Sequence, residues 1–163
     1  MDANIDDIEQ LLLSALKAEQ ESQEVYSMVA KKIDNYLLKD KFQFLAGEEK
    51  RHYDYIEELF TNHFPGKTIQ LPKKTTVPLP DIHLTEDTPL SKIIAQAMHS
   101  EQEAHDFYKN LATYFTDDSK IHSMLMYFAD MEQGHYNLLE IEHQAMQRFE
   151  EADVYWPMVH AGP

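Results

Sequence analysis

Apolar residues recur along the chain at alternating steps of three and four, the spacing of one face of an α-helix. Over about residues 4–33 the stripe reads Leu12, Ala15, Glu19, Ser22, Tyr26, Val29 and Ile33. Asp34-Asn35 is a turn signal. A second stripe, Phe42, Leu45, Glu49, His52, Ile56 and Leu59, predicts a helix over 36–63 that Pro65-Gly66 ends. Residues 64–88 lack a helical pattern. Pro65, Pro72, Pro78 and Pro80 interrupt them, with β-leaning Ile69, Leu71, Thr75, Thr76 and Val77 between, so an extended connection with room for a short strand is expected. Such a length is unusual for a connection in a compact domain and points to a purpose. Thr88-Pro89 reads as an N-cap with proline at the first helical position. The third helix is predicted over 89–115, aligning Ile94, Ala97, Glu101, Ala104, Tyr108, Leu111 and Phe115. Thr116-Asp117-Asp118 forms a turn and a fresh cap. The fourth helix, over 119–151, aligns Leu125, Phe128, Glu132, His135 and Leu139. The expected fold class is all-α: one domain over residues 1–163, with two helical hairpins joined by a long crossover.

Each stripe is interrupted by groups that do not belong in an apolar core, and the interruptions repeat. Ala18-Glu19-Gln20-Glu21 matches Ser100-Glu101-Gln102-Glu103, with Tyr26 and Tyr108 seven residues beyond the respective Glu. Phe44 to His52 matches Tyr127 to His135, so Glu49-x-x-His52 corresponds to Glu132-x-x-His135. At 1.5 Å per residue, Glu19 lies ~22 Å before its turn and Glu49 ~21 Å after it, so antiparallel helices return both to one height. Glu101 and Glu132 stand in the same relation to the second turn. Residues three apart share a helix face, so each Glu is paired with its His.

A lone helical Glu usually sits on a solvated face, and an isolated Glu-x-x-His is a weak signal. Four carboxylates and two imidazoles in register on four core stripes are different. Buried carboxylates without partners cost several kcal/mol each, and no Lys or Arg lies in these stripes. Four carboxylates carry a charge that two divalent cations neutralise. The small Ala15, Ser22, Ala97 and Ala104, one step from Glu19 and Glu101, leave room for ions and a small oxidant.

Composition narrows the chemistry. The chain has no cysteine, which removes disulfides, thiolate metal sites, iron–sulfur clusters and thiol nucleophiles. Four glycines among 163 residues, with no GxGxxG, Walker A or GxSxG string, argue against sandwiches, barrels and nucleotide folds. With 14 Lys+Arg against 29 Asp+Glu the net charge is −15, which repels nucleic acid and anionic membrane surfaces and favours cations. Nine histidines offer nitrogen ligands near neutral pH. No apolar run approaches the ~18 residues of a membrane span. Met1 is followed by acidic residues, so no signal peptide is expected and the cytoplasm is the default location.

This constellation resembles the ferritin-like superfamily, and within it the di-iron domain of rubrerythrins, in which two helices each give a Glu and two give Glu-x-x-His. The resemblance covers about residues 4–151. It implies a ferritin-like four-helix bundle whose crossover runs the bundle's length, which 64–88 can span at up to ~80 Å extended. It implies terminal ligands Glu19 and Glu101, bridging carboxylates Glu49 and Glu132, and imidazoles His52 and His135. Tyr26 and Tyr108 are candidates for hydrogen bonding to ligand carboxylates. It also implies homodimerisation. Two departures matter. A chain without cysteine holds no rubredoxin site, so electrons come from an external donor. Ala104 stands where rubrerythrins carry an additional Glu, which leaves a symmetric ligand set and puts a redox-linked ligand exchange in doubt. The tail beyond the fourth helix is short for the fifth helix of cage-forming ferritins.

His105, four residues after Glu101, is within reach of the site as a further ligand. His63, His83, His99, His122, His143 and His160 have no counterpart in the other half and are expected at the surface. The acidic run Glu140, Glu142, Glu150, Glu151 and Asp153 reads as a solvated face able to guide cations. Met124, Met126 and Met131 read as packing. The leading functional expectation is a non-haem di-iron oxidoreductase reducing peroxide or dioxygen. A cage-less iron-binding ferroxidase and a metal-stabilised bundle that binds a partner are the alternatives. Four carboxylates and two imidazoles suit two iron ions, with manganese or zinc also compatible.

Overall fold

The computed structural model describes residues 5–73, 82, 85 and 88–155. They form α1 (Ile5–Lys32), α2 (Tyr36–His63), α3 (Leu90–Ala112) and α4 (Ser119–Tyr155), with a 3₁₀ turn at Thr113–Phe115. There is no strand among the described residues. Thr75, Thr76 and Val77, where a strand was expected, lie outside them. Among the described residues no helix is long and apolar enough to cross a membrane.

The helix starts follow local capping chemistry. Asn35 Oδ1 accepts from the Leu38 amide at 3.0 Å and opens α2. Asp118 Oδ1 accepts from the amides of Lys120 and Ile121, both at 3.1 Å, and opens α4. The start of α3 differs from expectation. Pro89 is the cap residue rather than the first helical one, and it offers no side-chain bond. The Thr88 hydroxyl turns back to accept from the Thr85 amide. Glu150 of α4 supplies what is missing: its carboxylate accepts from the Ser91 amide at 3.1 Å and from the Ser91 hydroxyl at 2.5 Å. Glu150 therefore closes a helix end rather than belonging to a solvated face, and Glu142 faces Lys41 at 3.9 Å. The α-helical part of α3 stops three residues before the predicted end. The Thr113 hydroxyl bonds the Asn110 carbonyl at 2.7 Å as the chain tightens into the 3₁₀ turn.

Two apolar clusters fill the interior, one towards each end. The first joins Leu12, Leu16, Ile56, Phe60, Tyr108, Leu111, Phe115 and Leu125. The second joins Tyr26, Val29, Leu38, Phe42, Leu45, Ile94, Ala97 and Leu139. The first thus contains the end of α2 and the second the start of α3. Ile69 and Leu71 pack on the first and Ile82 on the second, so the connection crosses the bundle lengthwise. Met124, Met126 and Met131 pack against the first cluster. The polar interruptions of all four stripes lie between these layers.

Candidate metal centre

Glu19, Glu49, His52, Glu101, Glu132 and His135 are at most 5 % exposed. Their atoms form two overlapping sets. Glu19, Glu49, His52 and Glu132 each offer a ligand atom, all within 4.8 Å of one another, and so do Glu49, Glu101, Glu132 and His135. Glu49 and Glu132 belong to both. Each turns one oxygen to each half. Glu132 Oε1 lies 2.8 Å from His52 Nδ1 and its Oε2 lies 3.1 Å from His135 Nδ1. Glu49 Oε2 lies 3.7 Å from His52 Nδ1 and its Oε1 3.9 Å from His135 Nδ1. Glu19 Oε2 belongs to the His52 half at 3.6 Å, and Glu101 Oε2 to the His135 half at 3.3 Å.

The other oxygens of the terminal carboxylates are held by tyrosines. Tyr26 donates to Glu101 Oε1 at 2.6 Å, and Tyr108 donates to Glu19 Oε1. Each bond crosses from one hairpin to the other. Helical side chains lean towards the N-terminus, so each Tyr leans back to the height of the Glu on its own helix, where the other hairpin's Glu also stands.

Buried polar atoms are normally satisfied. Here Glu19 Oε2, both ring nitrogens of His52 and Glu132 Oε1 have no hydrogen-bond partner among the described residues. His52 Nδ1 and Glu132 Oε1 approach closely without hydrogen-bond geometry, as two ligands do around a common ion. Donor set, orphaned atoms and charge all fit a pair of divalent cations sharing two bridging carboxylates.

A family profile for rubrerythrin matches residues 10–143. The chain belongs to the rubrerythrin family. A solved structure of a hypothetical protein from Pyrococcus furiosus shares its fold with a TM-score of 0.77 and 33% identity, over 87% of this chain and 91% of that one. No curated protein matches the chain.

The electrostatics of this rubrerythrin-family site follow from burial of like charges. Burial first, then the charges of Glu132, Glu101 and Glu19, push Glu49 well above the usual carboxylate range. Burial likewise pushes Glu101 up to about 8, although His135 opposes it. Burial alone would raise Glu132 too, but His135 and His52 outweigh it and hold it below the usual range. The imidazoles show the reverse balance. Burial would lower both, yet the carboxylates raise His52 well above its ordinary value and His135 to about 9. Tyr26 and Tyr108 are pushed up by burial and by Glu101 and Glu19 respectively, so both keep their protons as donors. Without cations, the cluster holds protons in their place.

The structure brings together all six residues that the periodicity and repeat single out, and both tyrosines. His105 is elsewhere: its Nδ1 bonds the Ala129 carbonyl of α4 at 2.7 Å. Its spacing from Glu101 suits a ligand, but the hydrogen bond to the α4 backbone holds the ring away from the cluster. His122 is half-buried rather than superficial, with Nδ1 2.9 Å from the Ala112 carbonyl. His83 and His160 lie outside the described residues. Of the four small residues flanking the ligands, Ala15, Ser22 and Ala104 line a cavity at the cluster. Ala97 belongs instead to the second apolar cluster. Ala18, Ser100 and Phe107 also line that cavity. Sequence reasoning missed them, although the pair Ala18 and Ser100, each just before its Glu, was present in the repeat.

Proposed function

We propose that this chain is a non-haem di-iron oxidoreductase that reduces peroxide or dioxygen with electrons from an external donor. One observation carries the reading: two four-residue ligand sets share Glu49 and Glu132. That is the arrangement a dinuclear centre requires, and a mononuclear structural ion would leave half of it unused. When bound, two iron ions supply Lewis acidity and two electrons. Glu49 and Glu132, each presenting one oxygen to each half, would be the residues held in common by the two ions, and Glu19 with His52 and Glu101 with His135 would complete the halves. Tyr26 and Tyr108 tie down the outer oxygens of the terminal carboxylates and fix which oxygen faces inward. The apolar layers above and below exclude bulk water and strengthen these interactions.

Reduction of a hydroperoxide consumes two electrons and two protons, breaks the O–O bond and releases water and the corresponding alcohol, or two waters from hydrogen peroxide. No cysteine-ligated carrier exists in this sequence, so a reduced electron-transfer protein or a soluble reductant supplies the electrons. The test is metal content by elemental mass spectrometry after anaerobic Fe(II) loading, followed by peroxide and dioxygen consumption with excess reductant. About two irons per chain and many turnovers are expected. Less than one retained ion on an intact fold would sink the proposal. Iron that is oxidised once and then leaves would mark a ferroxidase instead.

A further inference from the structure

The two sides of the cluster are built differently. On the α2–α4 side, aromatic rings close it. Phe128 lies tilted against His52 with ring centroids 4.5 Å apart, Tyr55 lies 5.1 Å from Phe128, and Phe44 stands edge-on 6.2 Å from His135. On the α1–α3 side, five small residues, Ala15, Ala18, Ser22, Ser100 and Ala104, lie beside the carboxylates. α1 packs extensively on α2, and α3 on α4, while the contacts between the hairpins, α1 with α3 and α2 with α4, are both sparse; the sides differ in the residues that fill them. Between α1 and α3 lies a cavity of about 20 Å³ whose walls include these five and Phe107. Its floor is formed by the carboxylates, among them Glu19, whose buried Oε2 has no partner. Ser22, Ala104 and Phe107 are half-buried, so solvent meets the cavity at its rim, while Ala15, Ala18 and Ser100 are buried deeper.

We propose that the α1–α3 seam is the portal for the oxidant, and that Ala18, Ser22, Ser100 and Ala104 set its size limit. The volume admits about one water-sized molecule, so hydrogen peroxide and dioxygen pass while alkyl and aryl hydroperoxides do not. All hydroperoxides present the same O–O bond and need the same two electrons and two protons. Discrimination among them is therefore steric, and it falls to the residues that line the passage. The aromatic side cannot serve, since an oxidant there would have to displace Phe128 from His52. Phe107 is the bulkiest of the half-buried rim residues and narrows the entrance. The inference rests on the di-iron reading above.

The test compares Fe(II)-loaded protein mixed anaerobically with hydrogen peroxide, tert-butyl hydroperoxide or cumene hydroperoxide, each normalised to its rate with free ferrous ion. Azide association with the oxidised protein, read by absorbance, reports access without turnover. Ala18→Leu and Ala104→Leu preserve helix propensity and fill the seam from opposite sides. Expected are a preference of roughly 100-fold or more for hydrogen peroxide over cumene hydroperoxide, and a slowing of both peroxide oxidation and azide association of about tenfold or more in each Leu variant. Iron content should not change. Phe107→Ala should narrow the preference, which keeps the idea testable should a Leu variant fail to fold. Comparable normalised rates for all three peroxides in the parent, or unchanged azide association in both Leu variants, would overturn the portal. Absence of iron uptake, or of oxidation by any peroxide, would instead remove the di-iron reading itself, and the portal with it.

Discussion

Tyr26→Phe removes one oxygen atom and tests how the cluster prefers cations to protons. In the metal-free protein Glu101 is raised to about 8, so at pH 7 its carboxyl is mostly protonated. The 2.6 Å bond from Tyr26 then joins two neutral groups and contributes about 1 kcal/mol. Cation binding ionises Glu101, and the same bond becomes charge-assisted, contributing roughly 1.5–3 kcal/mol. The difference is about 0.5–2 kcal/mol, centred close to the 1.4 kcal/mol that is tenfold in a binding constant. Tyr26→Phe should therefore weaken Mn(II) binding about tenfold at pH 7, measured anaerobically against a chromophoric chelator. Above pH 8 Glu101 is ionised with or without metal, the bond is charge-assisted in both states, and the loss should shrink towards none by pH 9. An unchanged affinity at pH 7, or a loss as large at pH 9 as at pH 7, would refute the reasoning. Tyr108→Phe, acting on Glu19, is a separate perturbation of the other half.

Three further outcomes are expected. Glu49→Ala and Glu132→Ala each remove a residue common to both ligand sets and should abolish dinuclear loading, whereas Glu140→Ala, at an exposed position, should leave it intact; elemental analysis decides, and equal loss in all three would disprove the stripe assignment. In the metal-free protein, His135 raised to about 9 and Glu101 raised to about 8 both bind protons more tightly folded than unfolded. Their contribution is complete below the unfolded values, 4.5 for Glu101 and 6.5 for His135, and is lost as pH rises through 8 and 9, so thermal stability should fall from about pH 4.5 to 9, most steeply above 6.5 where both groups contribute. Cation binding needs those protons to leave, so the gain in melting temperature on adding metal should grow over the same range. Asn35→Ala deletes the side-chain cap of α2 and should cost about 1 kcal/mol in denaturant unfolding, without loss of bound metal.

Most of the fold was legible because four stripes keep one helical period from end to end. Leu12, Phe42, Ile94 and Leu125, each on a different stripe, are all fully buried. The cluster was legible for a related reason: a charged group on a core stripe is a contradiction that only a partner resolves, and the repeat presented the contradiction twice. What stayed hidden depends on contacts between elements distant in sequence. Glu150 reads as one acid in an acidic run until α4 brings it to the first turn of α3, where two donors of Ser91 await a carboxylate. His105 has a ligand's residue type and helical spacing, yet the Ala129 carbonyl takes its ring.

The tyrosines show where the periodic signal runs out. Position on the stripe predicts that Tyr26 and Tyr108 are buried within reach of ligand carboxylates, but it does not say which carboxylate each one meets. The observed bonds run to the opposite hairpin. A seven-residue step along one helix is about 10 Å, and a tyrosine leaning towards the N-terminus covers most of it. It arrives at a level where its own Glu has turned one oxygen inward and the neighbouring helix offers an oxygen facing outward. The pairing leaves the other oxygen of each terminal carboxylate facing an imidazole of the cluster. That links the two hairpins through hydrogen bonds that strengthen when the site is filled, so loading the cluster should also tighten the α1–α3 seam, where direct helix contact is sparse.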